Sequence, residues 1–216
     1  MNFATLKGLT IPEGEVASIS RNGEILWQKQ TKKYKTELEY IEVDGTADID
    51  TGINGNNNNL SFDFAFNLLQ YKYYGGFFGN YVNENTNCWR FIQTDANNKT
   101  GYVNANDKAR NACKVNYQLN TICTAHISRA TIRIDDKTFA PLIVNGTVNN
   151  NTIRLFNQGK GINSSKFRMY YFKISGNDNL VRDFIPVLDW NDRPCMYDKV
   201  SGGLFYNKGT GEFLYG

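Results

Sequence analysis

Long apolar runs are missing from this sequence. No stretch approaches the roughly 20 apolar residues that a transmembrane helix needs. The first residues, MNFATLK, also lack the apolar core and the cleavage site of a secretion signal. We therefore expect a protein that is made in the cytoplasm and does not insert into a membrane.

Histidine and cysteine are scarce and poorly placed for chemistry. His126 is the single histidine, so a metal site with several histidine ligands is excluded. It is flanked by Ala125 and Ile127, where a packed or rim position is more typical than a Ser/His/Asp catalytic arrangement. The cysteines show neither a CxxC pair nor metal-ligand spacing, and cytosolic synthesis predicts free, mostly buried thiols. They are Cys88, Cys113, Cys123 and Cys195.

A strong excess of charge of one sign is absent as well. The formal net charge is +3. The one basic cluster lies in the segment 28–37 (QKQTKKYKTE), which is typical of a solvated linker. Nucleic acid is therefore not an expected partner.

Aromatic residues and turn formers are abundant. The chain has 13 Tyr and 14 Phe, which favour strands over helices, and its many asparagines favour turns. Residues 60–68 (LSFDFAFNL) place Phe62, Phe64 and Phe66 on one face at period two, and Asp63 points alone between two of them. Around a dozen short strands of this kind, with no convincing amphipathic helix, predict an antiparallel β-sandwich.

The first 30 residues are predicted to form a separate small unit. Asn22-Gly23 between two apolar segments predicts a β-hairpin, and a hairpin this small buries little area alone. We therefore interpret 1–30 as an attachment or oligomerisation arm, 31–37 as a linker and 38–216 as the main domain. The apolar residues expected to carry the attachment are Ile11, Val16, Ile19, Ile25, Leu26 and Trp27.

The last 33 residues, 184–216, alternate aromatic segments with glycine turns. Glycines in 201–203 (SGG) and 208–211 (KGTG) supply positions where a positive φ costs little. The aromatic segments 204–206 and 212–215 flank the second of these turns. This pattern predicts an aromatic hairpin that closes the domain.

Three stretches resemble one family of proteins. The wording VRDFIPVLD (181–189) and PCMYDKVSG (194–202) resembles the end of the LamG-like, concanavalin-type jelly-roll domains of bacteriophage and prophage structural proteins. The segment 11–27 resembles the leader of such proteins. The segment 40–53 resembles the opening of their jelly roll, with Ala47-Asp48 where the family usually has Gln-Tyr. The resemblance implies a jelly-roll sandwich displayed on a virion.

Enzymes are known on the same scaffold, so a glycan-depolymerising glycosidase is an alternative. Retaining glycosidases of this type need two carboxylates on one strand face. The nearest candidates are Asp48 and Asp50, which have the spacing but neither glutamate of the usual pattern, and the resemblance places them in the opening hairpin. Catalysis is therefore not expected. A bacterial surface adhesin is a further alternative, against which the missing secretion signal counts.

Carbohydrate binding requires an exposed aromatic ring together with polar groups for the sugar hydroxyls. Most rings of an aromatic-rich sandwich are needed in its core, as expected for Trp89. The better candidates lie in polar or glycine-flanked segments. They are Trp190, Asn191, Asp192, Tyr73 and Tyr74. At the position of Trp190 the family usually has a small or polar residue.

Calcium is the metal that LamG-like domains most often carry. Asp95, Asp135 and Asp136 could contribute oxygen ligands, but turn chemistry explains them equally well, and Asp135-Asp136 suits a hairpin turn. No fixed cofactor is expected.

These features combine into one hypothesis. The chain is expected to be a non-enzymatic virion structural protein of a bacteriophage, as a head or tail fibre, a decoration protein or a baseplate component. Its arm would dock on other virion proteins. Fibres of this kind are commonly homotrimers, and the displayed surface would bind host-surface glycan.

Overall fold

The computed structural model describes the backbone of residues 18–21, 24–28, 32–83, 86–95, 100–104, 110–111, 118–139, 148–159 and 164–216. It describes side chains in 32–83, 86–93, 118–139, 148–159 and 164–216. The chain divides into two compact units, Met1–Lys33 and Tyr34–Gly216. The described residues contain no helix, and hence none that could span a membrane.

The described part of the first unit is a β-hairpin. β1 (Ser18–Arg21) pairs antiparallel with β2 (Glu24–Gln28), and Arg21 stands opposite Glu24. Two residues, Asn22-Gly23, therefore connect the strands, and the predicted hairpin is confirmed.

Four of the six predicted attachment residues lie on this hairpin: Ile19, Ile25, Leu26 and Trp27. Ile19 stands opposite Trp27. Ile11 and Val16 lie outside the described residues. The attachment role of these residues stays a prediction.

The second unit consists of short strands whose pairings with one another are antiparallel. They are β3 (Thr36–Glu37), β4 (Ile41–Val43), β5 (Ile49–Asn54), β6 (Leu60–Gln70), β7 (Gly75–Gly79), β8 (Arg90–Asp95), β9 (Thr100–Asn104), β10 (Arg110–Asn111), β11 (Ile122–Ile127), β12 (Ile132–Ile134), β13 (Lys137–Phe139), β14 (Thr152–Leu155), β15 (Lys166–Gly176), β16 (Asn179–Leu188), β17 (Pro194–Asp198), β18 (Gly203–Phe205) and β19 (Leu214–Tyr215).

These strands form two sheets. The smaller sheet has the order β10-β9-β8-β7-β14-β5, and the larger has β13-β12-β11-β6-β15-β16-β17-β18. β4 pairs with both β15 and β19, and β3 pairs with the far end of β16. The fold-class prediction, an antiparallel β-sandwich preceded along the chain by a small β-hairpin, is confirmed.

The core between the sheets is built from phenylalanines. The period-two pattern of β6 places Phe62 and Phe64 on its inner face, and both are fully buried. The Phe62 ring lies 4.5 Å from that of Phe78 on β7, and the Phe64 ring lies 5.5 Å from that of Phe91 on β8. Trp89 is fully buried beside them, as its alternation with Phe91 predicts.

The main domain begins earlier than the sequence indicates. Lys35 donates its backbone N–H to the Leu188 carbonyl at 2.8 Å, and β3 continues this pairing along β16. Tyr34 is buried, and its ring centroid lies 4.8 Å from that of Tyr197. Residues 34–37, interpreted from the sequence as linker, are therefore part of the main domain, because a tyrosine within the lysine-rich segment packs against the sheet.

The predicted closing hairpin is wrong. β18 pairs with β17 instead, and β19 pairs with β4 at the opening of the domain. The residues between them bind the opening loop: Lys208 donates to the Asp48 carbonyl at 2.7 Å, and Asp48 donates to Asn207 Oδ1 at 2.9 Å. A Cβ atom at Gly209 would overlap the Thr46 carbonyl oxygen. The glycines of this segment therefore serve close approach to the opening loop.

A buried carboxylate holds the turn between β17 and β18. Asp198 is fully buried. It accepts hydrogen bonds from the Asp183 N–H at 2.8 Å, the Val200 N–H at 3.1 Å and the Ser201 hydroxyl at 2.6 Å. Gly202 then takes a φ of 70°, a conformation that favours glycine. The geometry of this turn thus explains the sequence YDKVSG at 197–202.

Candidate functional site

A row of polar side chains crosses four neighbouring strands on the outer face of the larger sheet. His126 of β11 stands opposite Asp63 of β6. Asp63 also stands opposite Lys173 of β15, and Lys173 stands opposite Asp183 of β16. Partners of this kind point to the same face of the sheet, with Cβ atoms about 5 Å apart. On β6, β11 and β15 the adjoining residues are buried in the core, so the row faces solvent.

Only part of this row is engaged by other protein groups. His126 Nδ1 donates a hydrogen bond to Asp63 Oδ1 at 2.7 Å, so the prediction that Asp63 points alone is wrong. Within the described part of the chain, neither the Lys173 ammonium nor the Asp183 carboxylate has a hydrogen-bond or ion-pair partner. These two groups are therefore able to bind a ligand.

An aromatic ring lies beside the row. Tyr171 precedes Lys173 by two residues on β15 and stands opposite Ala65 of β6. Tyr171 is half-buried. Burial, and then the nearby Asp63 carboxylate, raise the pKa of the Tyr171 hydroxyl above its ordinary value. The hydroxyl therefore remains a hydrogen-bond donor at neutral pH.

These residues line a groove of about 620 Å³, which we call the outer-face groove. Its size falls within the usual range for small-ligand pockets. β3 forms one wall through Glu37, whose carboxylate accepts a hydrogen bond from the Tyr34 hydroxyl at 2.6 Å. The lining residues are Glu37, Leu38, Asp63, Tyr170, Tyr171, Lys173, Asp183, Ile185, Pro186 and Lys199.

The predicted sugar-binding residues of the C-terminal region lie on the turn between β16 and β17. Trp190, Asn191 and Asp192 are all exposed there, and 44% of the Trp190 surface is accessible. Asp192 Oδ1 lies 2.5 Å from Lys35 Nζ, so this turn is tied to the strand that begins the domain.

Asp189 holds this turn from beneath. It is 3% exposed and accepts hydrogen bonds from the Asn191 and Arg193 backbone N–H groups at 2.8 and 2.9 Å. The Tyr206 hydroxyl donates to it at 2.9 Å. Burial alone would raise the pKa of Asp189, but these hydrogen bonds lower it to about 2. The turn that presents Trp190 is therefore fixed by an ionised carboxylate.

The two predicted tyrosines lie on the turn between β6 and β7. Tyr73 and Tyr74 are 61% and 41% exposed, with ring centroids 4.2 Å apart. Tyr74 has a φ of 56°. The outer-face groove is lined neither by these tyrosines nor by Trp190, Asn191 and Asp192. Sugar binding at these two exposed turns stays a prediction.

The carboxylates considered for glycoside hydrolysis are both held by one arginine. Arg154 binds Asp48 through two parallel hydrogen bonds, with Nε donating to Oδ1 at 2.7 Å and the second to Oδ2. Its third nitrogen lies 3.5 Å from Asp50 Oδ2. Asp48 and Arg154 line a second cavity of about 420 Å³ together with amide side chains. The geometry assigns Asp48 and Asp50 to an ion-pair network.

The calcium candidates are accounted for in part by turn structure. Asp135 has a φ of 51° in the hairpin between β12 and β13, and its Oδ1 accepts the Thr124 N–H at 2.8 Å. Asp136 is exposed, and the Asp95 side chain lies outside the described residues. In the described residues, no three His, Cys, Asp or Glu side chains are grouped closely enough to hold a metal ion. Calcium binding stays a prediction.

The described cysteines are unsuited to nucleophilic chemistry. Cys88, Cys123 and Cys195 are buried, as the sequence predicts, and Cys113 lies outside the described residues. Burial raises the pKa of Cys123 and of Cys195 to about 12. Since the thiolate is the reactive form, neither thiol is activated at neutral pH.

Comparison with known proteins gives limited similarity. No family model matches the chain, and no curated protein matches it. Among solved structures, it is similar to a native heptameric SAP-like pentraxin from Limulus polyphemus, at 8% sequence identity and a TM-score of 0.45. The match covers 65% of this chain and 77% of the pentraxin chain. At this level the similarity carries no argument about function.

Sequence reasoning singled out Asp63 and His126 among the residues of the row, but it did not place them together. The available signal was a polar residue set singly between buried apolar neighbours, which recurs at Lys173 and His126. Each instance alone is an ordinary outward position on a strand. Only the register of the strands brings these residues together.

Proposed function

We propose that this protein is a non-enzymatic carbohydrate-binding β-sandwich displayed on a bacteriophage particle, and that the outer-face groove binds the sugar. The observation that carries the proposal is the half-buried Tyr171 ring beside Lys173 and Asp183. The Lys173 ammonium lies 5.9 Å from the centroid of this ring, and in the described residues neither charged group has a hydrogen-bond or ion-pair partner. An aromatic ring can pack on the apolar face of a sugar, and the polar groups can bind its hydroxyls.

Two features support binding without retaining glycoside hydrolysis. Asp63 and Asp183 are separated by β15, so their strands are two strand spacings, or about 10 Å, apart. Retaining glycosidases hold their two carboxyl groups only about 5 Å apart. The other candidate pair, Asp48 and Asp50, is bound to Arg154.

The virion context is supported by sequence. Wording similar to phage jelly-roll proteins occurs in the leader 11–27, the opening 40–53 and the C-terminal segments 181–189 and 194–202. We propose that the N-terminal unit docks the protein on other virion proteins, that the protein is a homo-oligomer, with a trimer favoured, and that host-surface glycan is the ligand. The mass of the purified protein in solution tests the oligomeric state.

A glycan array tests the binding proposal. Wild-type protein should bind a subset of bacterial surface glycans, and Tyr171→Ala should weaken this binding about tenfold, because the packed ring is lost. Tyr215→Ala is the matched control, since it removes the same kind of ring from an exposed position that does not line the groove. It should bind as the wild type does.

Two results would contradict the proposal. A wild-type array without signal would remove carbohydrate binding altogether, and unchanged binding by Tyr171→Ala would move the site away from the groove. Release of reducing sugar from a bound glycan by the wild type would show that the protein is an enzyme.

A further inference from the structure

The charge of the outer-face groove is nearly balanced. Its lining carries carboxylates on Glu37, Asp63 and Asp183 and ammonium groups on Lys173 and Lys199, which gives a formal charge of −1. Both lysines adjoin Asp183: Lys173 stands opposite it, and Lys199 donates its backbone N–H to the Asp183 carbonyl at 2.8 Å. An anionic sugar would therefore meet carboxylates next to every cation, and repulsion would offset the attraction.

Hydroxyl groups match this arrangement better than charged groups do. A hydroxyl can donate one hydrogen bond and accept others, whereas a carboxylate only accepts and an ammonium only donates. Lys173 and Asp183 are cross-strand neighbours, with Cβ atoms about 5 Å apart. Lys173 can therefore donate to one hydroxyl of a ring while Asp183 accepts from the next.

We infer that the outer-face groove selects neutral hexopyranose units that present two adjacent free hydroxyls, in preference to anionic sugars. Lys173 and Asp183 bind the hydroxyl pair, and Tyr171 packs on the ring. Asp63, which His126 holds at 2.7 Å, stands on the other side of Lys173 and keeps the ammonium flanked by negative charge. The inference rests on the proposed function and names its ligand class.

Linkage chemistry provides the test. Internal units of 1,4-linked neutral polymers of glucose, mannose or galactose carry adjacent free hydroxyls at positions 2 and 3, whereas those of 1,3-linked polymers carry none. The full-length protein should bind at least one 1,4-linked polymer, and it should bind 1,3-linked glucan and anionic polygalacturonate at least tenfold more weakly. Periodate, which cleaves adjacent diols, should abolish binding of the 1,4-linked polymer.

Variants then assign the contacts. Lys173→Met and Asp183→Asn should each weaken binding of the neutral polymer about tenfold, since each removes a hydrogen bond to a charged group. Lys166→Met is the matched control, because Lys166 lies on the same strand but pairs with Glu42 outside the groove. Circular dichroism of each variant confirms that it is folded.

The possible results are distinguishable. Tighter binding of polygalacturonate, particularly if Asp183→Asn strengthens it, would overturn the inference and leave carbohydrate binding intact. Equal binding of 1,3-linked and 1,4-linked polymers would overturn it in the same way. Absence of binding to every glycan of the array would remove the proposed function, and the inference with it.

Discussion

At the scale of single residues, two buried carboxylates explain much of the C-terminal wording that resembles phage proteins. Asp189 fixes the turn before β17, and Asp198 fixes the turn after it. Each accepts several hydrogen bonds while 3% exposed or less. These residues therefore determine how the chain turns at this edge of the sandwich. Their resemblance to phage proteins is evidence about the fold rather than about the function.

Asp189 gives a pH-dependent prediction. Its pKa is about 2 in the folded protein, below the ordinary value of 3.8. Its stabilising effect is therefore complete above about pH 4 and is lost as the pH falls through 2. Asp189→Asn should lower the free energy of unfolding by about 1–2 kcal/mol at neutral pH, because the amide group forms weaker hydrogen bonds. Urea unfolding measures this difference.

The comparison at low pH completes the Asp189 test. The difference in unfolding free energy between wild type and Asp189→Asn should shrink as the pH is lowered from 5 toward 2, since the wild-type carboxylate becomes protonated. A difference that stays constant across this range would show that the ionised form of Asp189 does not stabilise the turn.

At the scale of elements, individual strands could be predicted from the sequence but their partners could not. The alternation in β6 and the Asn-Gly turn between β1 and β2 are local patterns, and both were predicted. The segments 204–206 and 212–215 were also predicted to contribute strands, yet these strands pair with β17 and β4. Hydrogen bonds between residues far apart in the chain, as between Asp48 and Asn207, decide this outcome.

The outer-face groove escaped prediction for the same reason. It takes side chains from β3, β6, β15 and β16, and each of these strands contributes only a few lining residues. A pattern within one strand fixes which face a residue occupies, but the register between strands fixes its neighbours. Asp63 was therefore recognised as polar and outward, while its position next to Lys173 and His126 required the structure.

Close contact between the closing and opening segments gives an element-scale prediction. Gly209→Ala should destabilise the main domain by about 1–3 kcal/mol, because the added Cβ would overlap the backbone at Thr46 and Ala47. Gly176→Ala is the control, since its Cβ would lie 3.2 Å from the flexible end of Asn57. Thermal unfolding should show a lower Tm for the first variant only. Equal Tm values would mean that the opening loop can move away.

At the scale of the whole molecule, the chain divides into two units, and we propose a different role for each. The second unit contains an extended aromatic core and the outer-face groove. The described part of the first unit is a two-stranded hairpin, and such a hairpin is marginally stable by itself. A partner surface would add apolar contacts to such a hairpin, which is the physical reason for proposing that this unit docks.

The proposed docking by the first unit leads to a prediction about particle assembly. Replacing Ile25 and Trp27 by aspartate in the full-length chain should abolish incorporation into particles, because charged side chains cannot pack in an apolar interface without a large desolvation cost. Glycan binding by the purified variant should equal that of the wild type, since the groove lies in the second unit. Immunoblots of purified particles measure incorporation, and Tyr171→Ala serves as the reciprocal control, expected to enter particles normally. Normal incorporation of the aspartate variant would show that the hairpin is not the attachment element, and absence of the wild-type protein from particles would remove the virion assignment itself.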